Sequence, residues 1–362
     1  MRIDYVITGL GVGGAEYQVV SLLEQLALRG HQLRVISLTS PAAAVFTERL
    51  ATAGIPIVFL GMHSGKDLPL ALLRLRKTLL RSRPDIVHSH MVHANLLTRL
   101  VRLFVPSLKI VCTAHNTHEG GKMRDWAYRL TNFLCQVNTT ISEAATRRFV
   151  GERVFPARNT LTIPNGIDTD KFHPSPTPSS SSAPPFRWLA VGRLAEQKDY
   201  PTLIAAFGKL ADSRLHIAGQ GPLLESLLRQ VKQAGLEERV EFLGVRNDID
   251  QLYHQADGFV LSSEWEGYGL VVAEAMASEL PVVVTNSGGP GEIVGASGEN
   301  GLVVPIKNPE ALAAAMISIE ATPQRERQLM GQRARQKIRD KYSLHQIVTQ
   351  WEHVYTELQN NN

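Results

Sequence analysis

The sequence predicts an α/β protein made of two doubly wound parallel sheets. Short apolar runs alternate with segments of helical period from the first residues onward, a Pro- and Ser-rich stretch interrupts this near the middle of the 362-residue chain, and the alternation then resumes. Continuous apolar runs are what strands covered on both faces look like, and a helix between two such strands leaves them parallel.

Ile3–Thr8 is the first apolar run, and Ala15–Leu28 is the first helical period, closed by Gly30. Strands follow at Leu33–Leu38, Pro56–Leu60, Ile86–His88 and Ile110–Thr113, with helices over Leu68–Leu80 and Leu96–Phe104. Lys171–Pro185 then gathers Pro174, Pro176, Pro178, Pro184 and Pro185 around Ser179–Ser182, the composition of an exposed connection. Beyond it, strands are expected at Arg187–Val191, Leu215–Ala218, Val240–Leu243, Gly258–Leu261, Pro281–Thr285 and Leu302–Val304. Helices over Tyr200–Lys209, Pro222–Ala234, Ile249–His254, Leu270–Ala277 and Pro309–Ile319 intervene. The expected organisation is a first domain of residues 1–170, a linker of residues 171–185 and a second domain of residues 186–342. Ligands bind beyond the carboxyl ends of parallel strands, so two such domains facing each other would enclose a cleft lined by strand-to-helix loops.

Composition narrows the function. Polar residues interrupt every Leu-rich stretch before it could span a bilayer, and the first residues enter a strand without a secretory leader, so a cytoplasmic protein is expected. Cys112 and Cys135 are the only cysteines and read as two reduced core thiols. Residues 1–160 hold 20 Lys and Arg against 10 Asp and Glu, while the remainder is acidic. Leu68–Arg83 and Arg99–Lys109 concentrate the excess and read as basic amphipathic helices. Their plainest role is a Leu stripe on the core with a solvated basic back; their functional role would be docking on anionic lipid headgroups. With 6% aromatic residues and no basic stripe interleaved with aromatics, a nucleic-acid platform is not supported.

Four loops carry candidate chemistry. Gly9-Leu10-Gly11-Val12-Gly13-Gly14 satisfies G-x-G-x-x-G, but strand two ends Ser37-Leu38-Thr39-Ser40 without the carboxylate that a dinucleotide ribose requires. Backbone contact with a phosphate or a sugar is the better reading, beside that of a plain tight turn. Asp85–His93 and Thr113–Glu119 bring His88, His90, His93, His115 and His118 to strand ends in no zinc-like spacing. They suit hydrogen bonding to a hydroxyl-rich substrate, with His115 the candidate for a catalytic contact, Gly13, His88, His90 and Asn116 candidates on the acceptor side, and His88 and His93 alternatively packed core residues. Arg193 and Lys198, five residues apart, can grip one anion as a fork and a point charge, neutralising a diphosphate without a metal. Finally, Gly267 and Gly269 leave amides bare at a helix start between Glu266 and Glu274, a phosphate cradle with two carboxylates suited to vicinal hydroxyls.

At these residues the chain resembles the retaining glycosyltransferases of the GT-B fold, in the large group 1 (family 4) whose hallmark is two glutamates separated by seven residues, here Glu266 and Glu274. Ser263–Ala277, Gly192-Arg193-Leu194…Lys198, Ile163–Asp168 and Pro281–Val303 all fit the pattern. The resemblance implies two Rossmann-like domains, acceptor binding in the first, nucleotide-sugar binding in the second, and a final helix within 343–362 that returns to the first. It implies that Arg193 and Lys198 hold the donor diphosphate, Glu274 the ribose hydroxyls and Glu266 a sugar hydroxyl. Amides of Gly267, Tyr268, Gly269 and Leu270 would complete the contacts, with Gly14 on the phosphate and His115 near the reacting sugar. Three departures stand out: Asn116 where Asp is frequent, Asp199 where Gly is usual, and Pro290-Gly291 before Glu292.

The expected function is therefore hexosyl transfer from a nucleotide sugar, a UDP-sugar foremost, to a lipid-linked or polysaccharide acceptor in cell-surface glycan synthesis, such as lipopolysaccharide or capsule. Retention, no metal and no cofactor are expected, with peripheral contact to the inner membrane face through the basic half. The rivals are a GT-B-type epimerase or hydrolase of nucleotide sugars, a non-catalytic nucleotide-sugar-binding module and, more remotely, a dehydrogenase.

Overall fold

The computed structural model describes residues 1–11, 13–117, 119–176 and 185–360; Val12, His118 and most of the expected linker, residues 177–184, lie outside them. The chain forms two compact units, Met1–Gly166 with Leu344–Asn362, and Ile167–Ser343.

The first unit runs β1 (Arg2–Ile7), α1 (Gly14–Leu28), β2 (Gln32–Ser37), α2 (Ala44–Thr52), β3 (Ile57–Phe59), α3 (Leu68–Ser82), β4 (Ile86–His90), α4 (Val92–Val101), β5 (Ile110–Ala114), α5 (Lys122–Thr131), β6 (Val137–Thr140), α6 (Glu143–Gly151) and β7 (Thr160–Thr162). Its sheet has the order β3-β2-β1-β4-β5-β6-β7, all parallel. The second unit runs β8 (Phe186–Val191), α7 (Tyr200–Phe207), β9 (Ser213–Ala218), α8 (Leu224–Gln233), β10 (Val240–Gly244), α9 (Ile249–Gln255), β11 (Gly258–Leu261), α10 (Leu270–Ala277), β12 (Val282–Thr285), α11 (Gly289–Val294), β13 (Leu302–Val304), α12 (Pro309–Ala321) and α13 (Gln324–Lys341). Its parallel order is β10-β9-β8-β11-β12-β13. In both sheets the chain reverses direction of travel beside the first strand, between β1 and β4 and between β8 and β11. The loops leaving those strands therefore splay apart and open a crevice.

α14 (Leu344–Asn360) belongs to the first unit. Ile347, Val348, Trp351, Val354 and Tyr355 enter the same core as β1 and α1, and the Tyr355 hydroxyl meets those of Tyr5 at 2.5 Å and His88 Nδ1 at 2.7 Å. Arg29 and His31 clasp Glu352 at 2.5 and 2.9 Å on the rim. The unit boundary falls at residue 166 rather than 170. Ile167 bridges Ser343, and Arg335 donates to the carbonyls of Thr169 and Phe172 at 3.2 and 2.9 Å, holding this segment to the second unit.

Several elements escape a reading by apolar periodicity. β6 carries Asn138, Thr139 and Thr140 at 0% exposure, their polar groups matched to Arg99, Thr113 and Thr146. The expected second basic amphipathic helix, Arg99–Lys109, is also corrected: α4 ends at Val101, and Arg99 is fully buried instead of forming part of a solvated back. Its guanidinium donates to the Tyr128 carbonyl and Thr131 at 3.1 Å each and to Asn138, and it lies 4.7 Å from the Tyr128 ring. On α3, by contrast, Arg74, Arg76, Lys77 and Arg81 are exposed while Ala71, Leu75 and Leu79 face the core. No helix among the described residues is long and apolar enough to cross a membrane.

Candidate active site

In the second unit the loops leaving β8 and β11 meet at the crevice. After β8 the chain turns through Gly192 and reaches Lys198; after β11 it runs through Ser262–Gly269 into α10. The loops are stitched together by the Ser262 hydroxyl on the Lys198 carbonyl at 2.8 Å and the Glu264 amide on the Gln197 carbonyl at 2.8 Å. This brings the Lys198 ammonium onto the Glu266 carboxylate, side chains only 12% and 10% exposed, with the Ser263 hydroxyl donating to the same oxygen at 2.9 Å. The Glu266 backbone is fixed in turn by donating to the Ser287 carbonyl at 2.8 Å. Each buried charge here is the other's partner, so neither bears its desolvation cost alone.

Gly269, at φ 93°, caps α10 without a side-chain hydrogen bond, so the first amides of that helix have no internal acceptor. The Tyr268 side chain is buried near Tyr342, which leaves its backbone for a ligand. The Pro290-Gly291 departure has a structural role, since Pro290 enters the first turn of α11 and packs beneath Gly269. Farther along α10, Glu274 lies 3.1 Å from the Tyr253 hydroxyl. Burial raises its carboxyl to about 7, against the opposing pull of Tyr253 and the Lys171 charge. Arg193 stays exposed, and no hydrogen bond or ion pair among the described residues ties it to Lys198. Asp199, where Gly is usual, adopts a left-handed conformation at φ 46° and accepts from the Thr202 amide at 3.4 Å.

Gly219 and Tyr253 were not anticipated. A Cβ on Gly219, at φ 145°, would sit 2.0 Å from the Gly192 carbonyl oxygen, so the β8 and β9 ends approach this closely only with glycine. Gly219→Ala is expected to cost about 3 kcal/mol or more and to shift the Lys198 loop, measurable as a lowered denaturant midpoint. The Gly-Gln-Gly-Pro run after β9 was the available signal. Tyr253 had none, because a core tyrosine on an amphipathic helix looks the same whatever it touches.

In the first unit, the β4 and β5 ends hold the histidines. His88 is a fully buried core residue, its two ring nitrogens matched by Tyr355 and Thr113 at 2.7 Å each, so its place among the acceptor-side candidates is corrected. His90 is likewise buried, and its Nδ1 lies 2.9 Å from His115 Nε2. Burial pushes His90 well below the usual imidazole range and His115 down to about 4, so both are neutral at pH 7. Their shared hydrogen bond uses one donor and one acceptor. His90 Nε2 and His115 Nδ1 have no partner among the described residues, which leaves the pair one donor and one acceptor to offer. The loop is held by Glu119, which accepts from the His115 amide at 2.9 Å and the Tyr128 hydroxyl at 2.6 Å; burial raises Glu119 to about 7. Asn116 and His93 are exposed. Gly13 caps α1 and exposed Gly14 opens it, but the Glu16 carboxylate already folds against Gly13, at the helix end expected to meet phosphate.

No three His, Cys, Asp or Glu side chains gather as metal ligands among the described residues. Two Asp-x-Asp tripeptides, Asp168–Asp170 and Asp248–Asp250, are engaged locally: Asp168 accepts two following amides at 3.1 and 3.0 Å, and Asp248 pairs with Arg246 at 2.5 Å.

A model described as glycosyl transferases group 1 matches residues 178–337, and one described as glycosyltransferase family 4 matches residues 12–171. The N-acetyl-alpha-D-glucosaminyl L-malate synthase of Bacillus anthracis is 27% identical over 96% of this chain and 94% of its own length. An Escherichia coli UDP-Gal:alpha-D-GlcNAc-diphosphoundecaprenol alpha-1,3-galactosyltransferase is 26% identical over 81% of this chain and 80% of its own. Among solved structures, Anabaena HepE in complex with UDP superposes with a TM-score of 0.86 at 22% identity, covering 99% of this chain and 100% of that one.

Proposed function

Because the chain belongs to the group 1 glycosyltransferases, with the GT-B pair of Rossmann-like domains, we propose that it moves a hexose from a UDP-sugar to a lipid-linked or polysaccharide acceptor, with retention and without a metal. The observation that supports this reading is the Lys198–Glu266 pair at the mouth of the uncapped α10 helix. A cation, a helix N-terminus and a carboxylate on one crevice suit a leaving diphosphate attached to a sugar. As the sugar–phosphate bond breaks, negative charge grows on the diphosphate and positive character on the sugar ring. Lys198, exposed Arg193 and the α10 amides are fixed donors for the former. Glu266, released from Lys198 by the arriving phosphate, is free to accept a sugar hydroxyl. With no nucleophile assigned beside them, the acceptor hydroxyl would attack from the face that the leaving group vacates, and His115 would hydrogen-bond the reacting sugar. The E. coli relative's name joins a UDP-sugar to a diphosphoundecaprenol-linked acceptor, which supports both the donor base and a lipid-linked acceptor.

The test is calorimetric titration with UDP-, GDP- and ADP-sugars in EDTA, for the wild type, Lys198→Ala and Glu274→Ala. Tight binding of one UDP-sugar, weakened in both variants, is expected. Binding that needs added divalent cation, or full turnover of donor without any acceptor, would overturn the corresponding part of the reading.

Donor affinity should also depend on pH through Glu274. Its carboxyl, raised to about 7, is protonated below that value and ionised above it, and two ribose hydroxyls donate best to the ionised form. The dissociation constant is therefore expected to rise as pH falls below about 7, approaching tenfold per unit. Glu274→Gln should flatten the profile in the same titration.

A further inference from the structure

α5 and the turn after it show four large apolar side chains to solvent: Met123 at 87% exposure, Trp126 at 58%, Leu130 at 65% and Phe133 at 72%. The spacing of three, four and three residues keeps them on one face, while Asp125 and Tyr128 on the opposite face are buried. Isolated exposed apolar residues are ordinary, but a contiguous stripe of this size marks a docking surface. Phe133 also lines a surface pocket of about 410 Å³ that carries Arg153 and Arg158. From residue 122 to 158 the chain holds seven Lys and Arg against three Asp and Glu. Two of those three, Asp125 and Glu152, are paired with Arg148. Lys122, Arg153 and Arg158 are exposed and have no carboxylate partner among the described residues.

We propose that this stripe and its flanking cations are the membrane-docking surface of the first unit. Trp126, Leu130 and Phe133 would enter the headgroup–acyl boundary of an anionic bilayer, with Arg153 and Arg158 on lipid phosphates. Charge complementarity selects this occupant: an apolar stripe with the unpaired cations Arg153 and Arg158 at its Phe133 end and Lys122 at its start matches a negatively charged lipid interface. The inference rests on the reading of a lipid-linked acceptor and deepens it. It also moves the docking element from the Leu68–Arg83 and Arg99–Lys109 segments to a helix that carries Lys122, Arg124 and Arg129 against Asp125 and whose apolar stripe is 58–87% exposed, compared with 40–62% for Leu68, Leu70, Leu73 and Leu80 on α3.

The experiment is co-sedimentation of the full chain with vesicles of phosphatidylcholine containing about 30% phosphatidylglycerol, and with phosphatidylcholine alone. Binding is expected only to the anionic vesicles and should weaken as salt is raised. Trp126→Ser combined with Phe133→Ser should lower partitioning at least about tenfold, and Arg153→Gln combined with Arg158→Gln by about tenfold. Leu70→Ser combined with Leu73→Ser on α3 should change it little. Brominated lipid should quench fluorescence in Trp265→Phe and much less in Trp265→Phe combined with Trp126→Phe, since the two remaining tryptophans, Trp188 and Trp351, are buried. Calorimetric UDP-sugar binding serves as the check that the variants are folded. Retained donor binding with no vesicle binding by the wild type would overturn the docking surface alone, and absent donor binding would overturn the proposed function alone. Loss of vesicle binding in the α3 variant instead of the α5 variant, or a dimer that the α5 variant dissolves, would likewise overturn this assignment.

Discussion

Lys198→Ala is expected to lower turnover about 10²- to 10³-fold, the loss seen when one fixed donor to a developing negative charge is removed, about 2.7–4 kcal/mol. The structure adds a second consequence. With only 10% of its side chain exposed, Glu266 would lose its counter-charge and keep, among the described residues, Ser263 as its side-chain donor, so the folded state should also lose stability. Glu266→Gln separates the two effects. In the double variant no unpaired carboxylate remains, so its stability loss should be smaller than the sum of the single losses, while turnover stays low. Wild-type turnover in Lys198→Ala would remove the lysine from the mechanism. Strictly additive stability losses would mean that the ion pair does not matter to the ligand-free fold.

Arg99→Ala should be the most destabilising change in the first unit, by about 3–5 kcal/mol. The guanidinium, at 0% exposure, is surrounded by acceptors from three segments: the Tyr128 carbonyl and Thr131 on α5, Asn132 after it, and Asn138 on β6. Truncation strips those acceptors of their donor and empties the space beside the Tyr128 ring. Arg99→Lys should recover only part of the loss, because an ammonium cannot reach all of these acceptors in one plane. Chemical denaturation of the three proteins measures the series, and a loss below about 1 kcal/mol for Arg99→Ala would contradict this account.

The strands of the second unit were legible from sequence, whereas two of its helices were not: α11 opens Gly-Pro-Gly, and α13 is polar along most of its length. Those strands are apolar runs, the loops carry glycines where backbone approaches backbone, and Arg193, Lys198 and Glu266 stand in loops beyond strand ends, with Glu274 midway along α10. Periodicity could not foresee that Glu266 and Lys198 would pair, since that contact is made by two loops 68 residues apart. The first unit was less legible for a definite reason. Its later half is built on buried polarity: β6 reads Val-Asn-Thr-Thr, and its partner is a buried arginine that in the sequence looks like part of a basic surface. A cation near leucines carries no mark of whether solvent or carbonyls surround it. The same ambiguity hid His88, whose strand-end position suggested a substrate contact but whose ring bonds two hydroxyls in the core.

The return of α14 to the first unit has a consequence for how this chain is made. Tyr5 and Tyr355 meet although 350 positions apart in sequence, so the first unit cannot close its core while it is the only part outside the ribosome. At about 5–20 residues per second, the β1 side of that core waits roughly 20–70 s for its last helix. The second unit, continuous from Ile167 to Ser343, faces no such delay. In this polypeptide the half that is synthesised first is therefore the half that matures last, and the α1 and β1 surface awaiting Trp351 and Tyr355 is where a holding chaperone would have to sit.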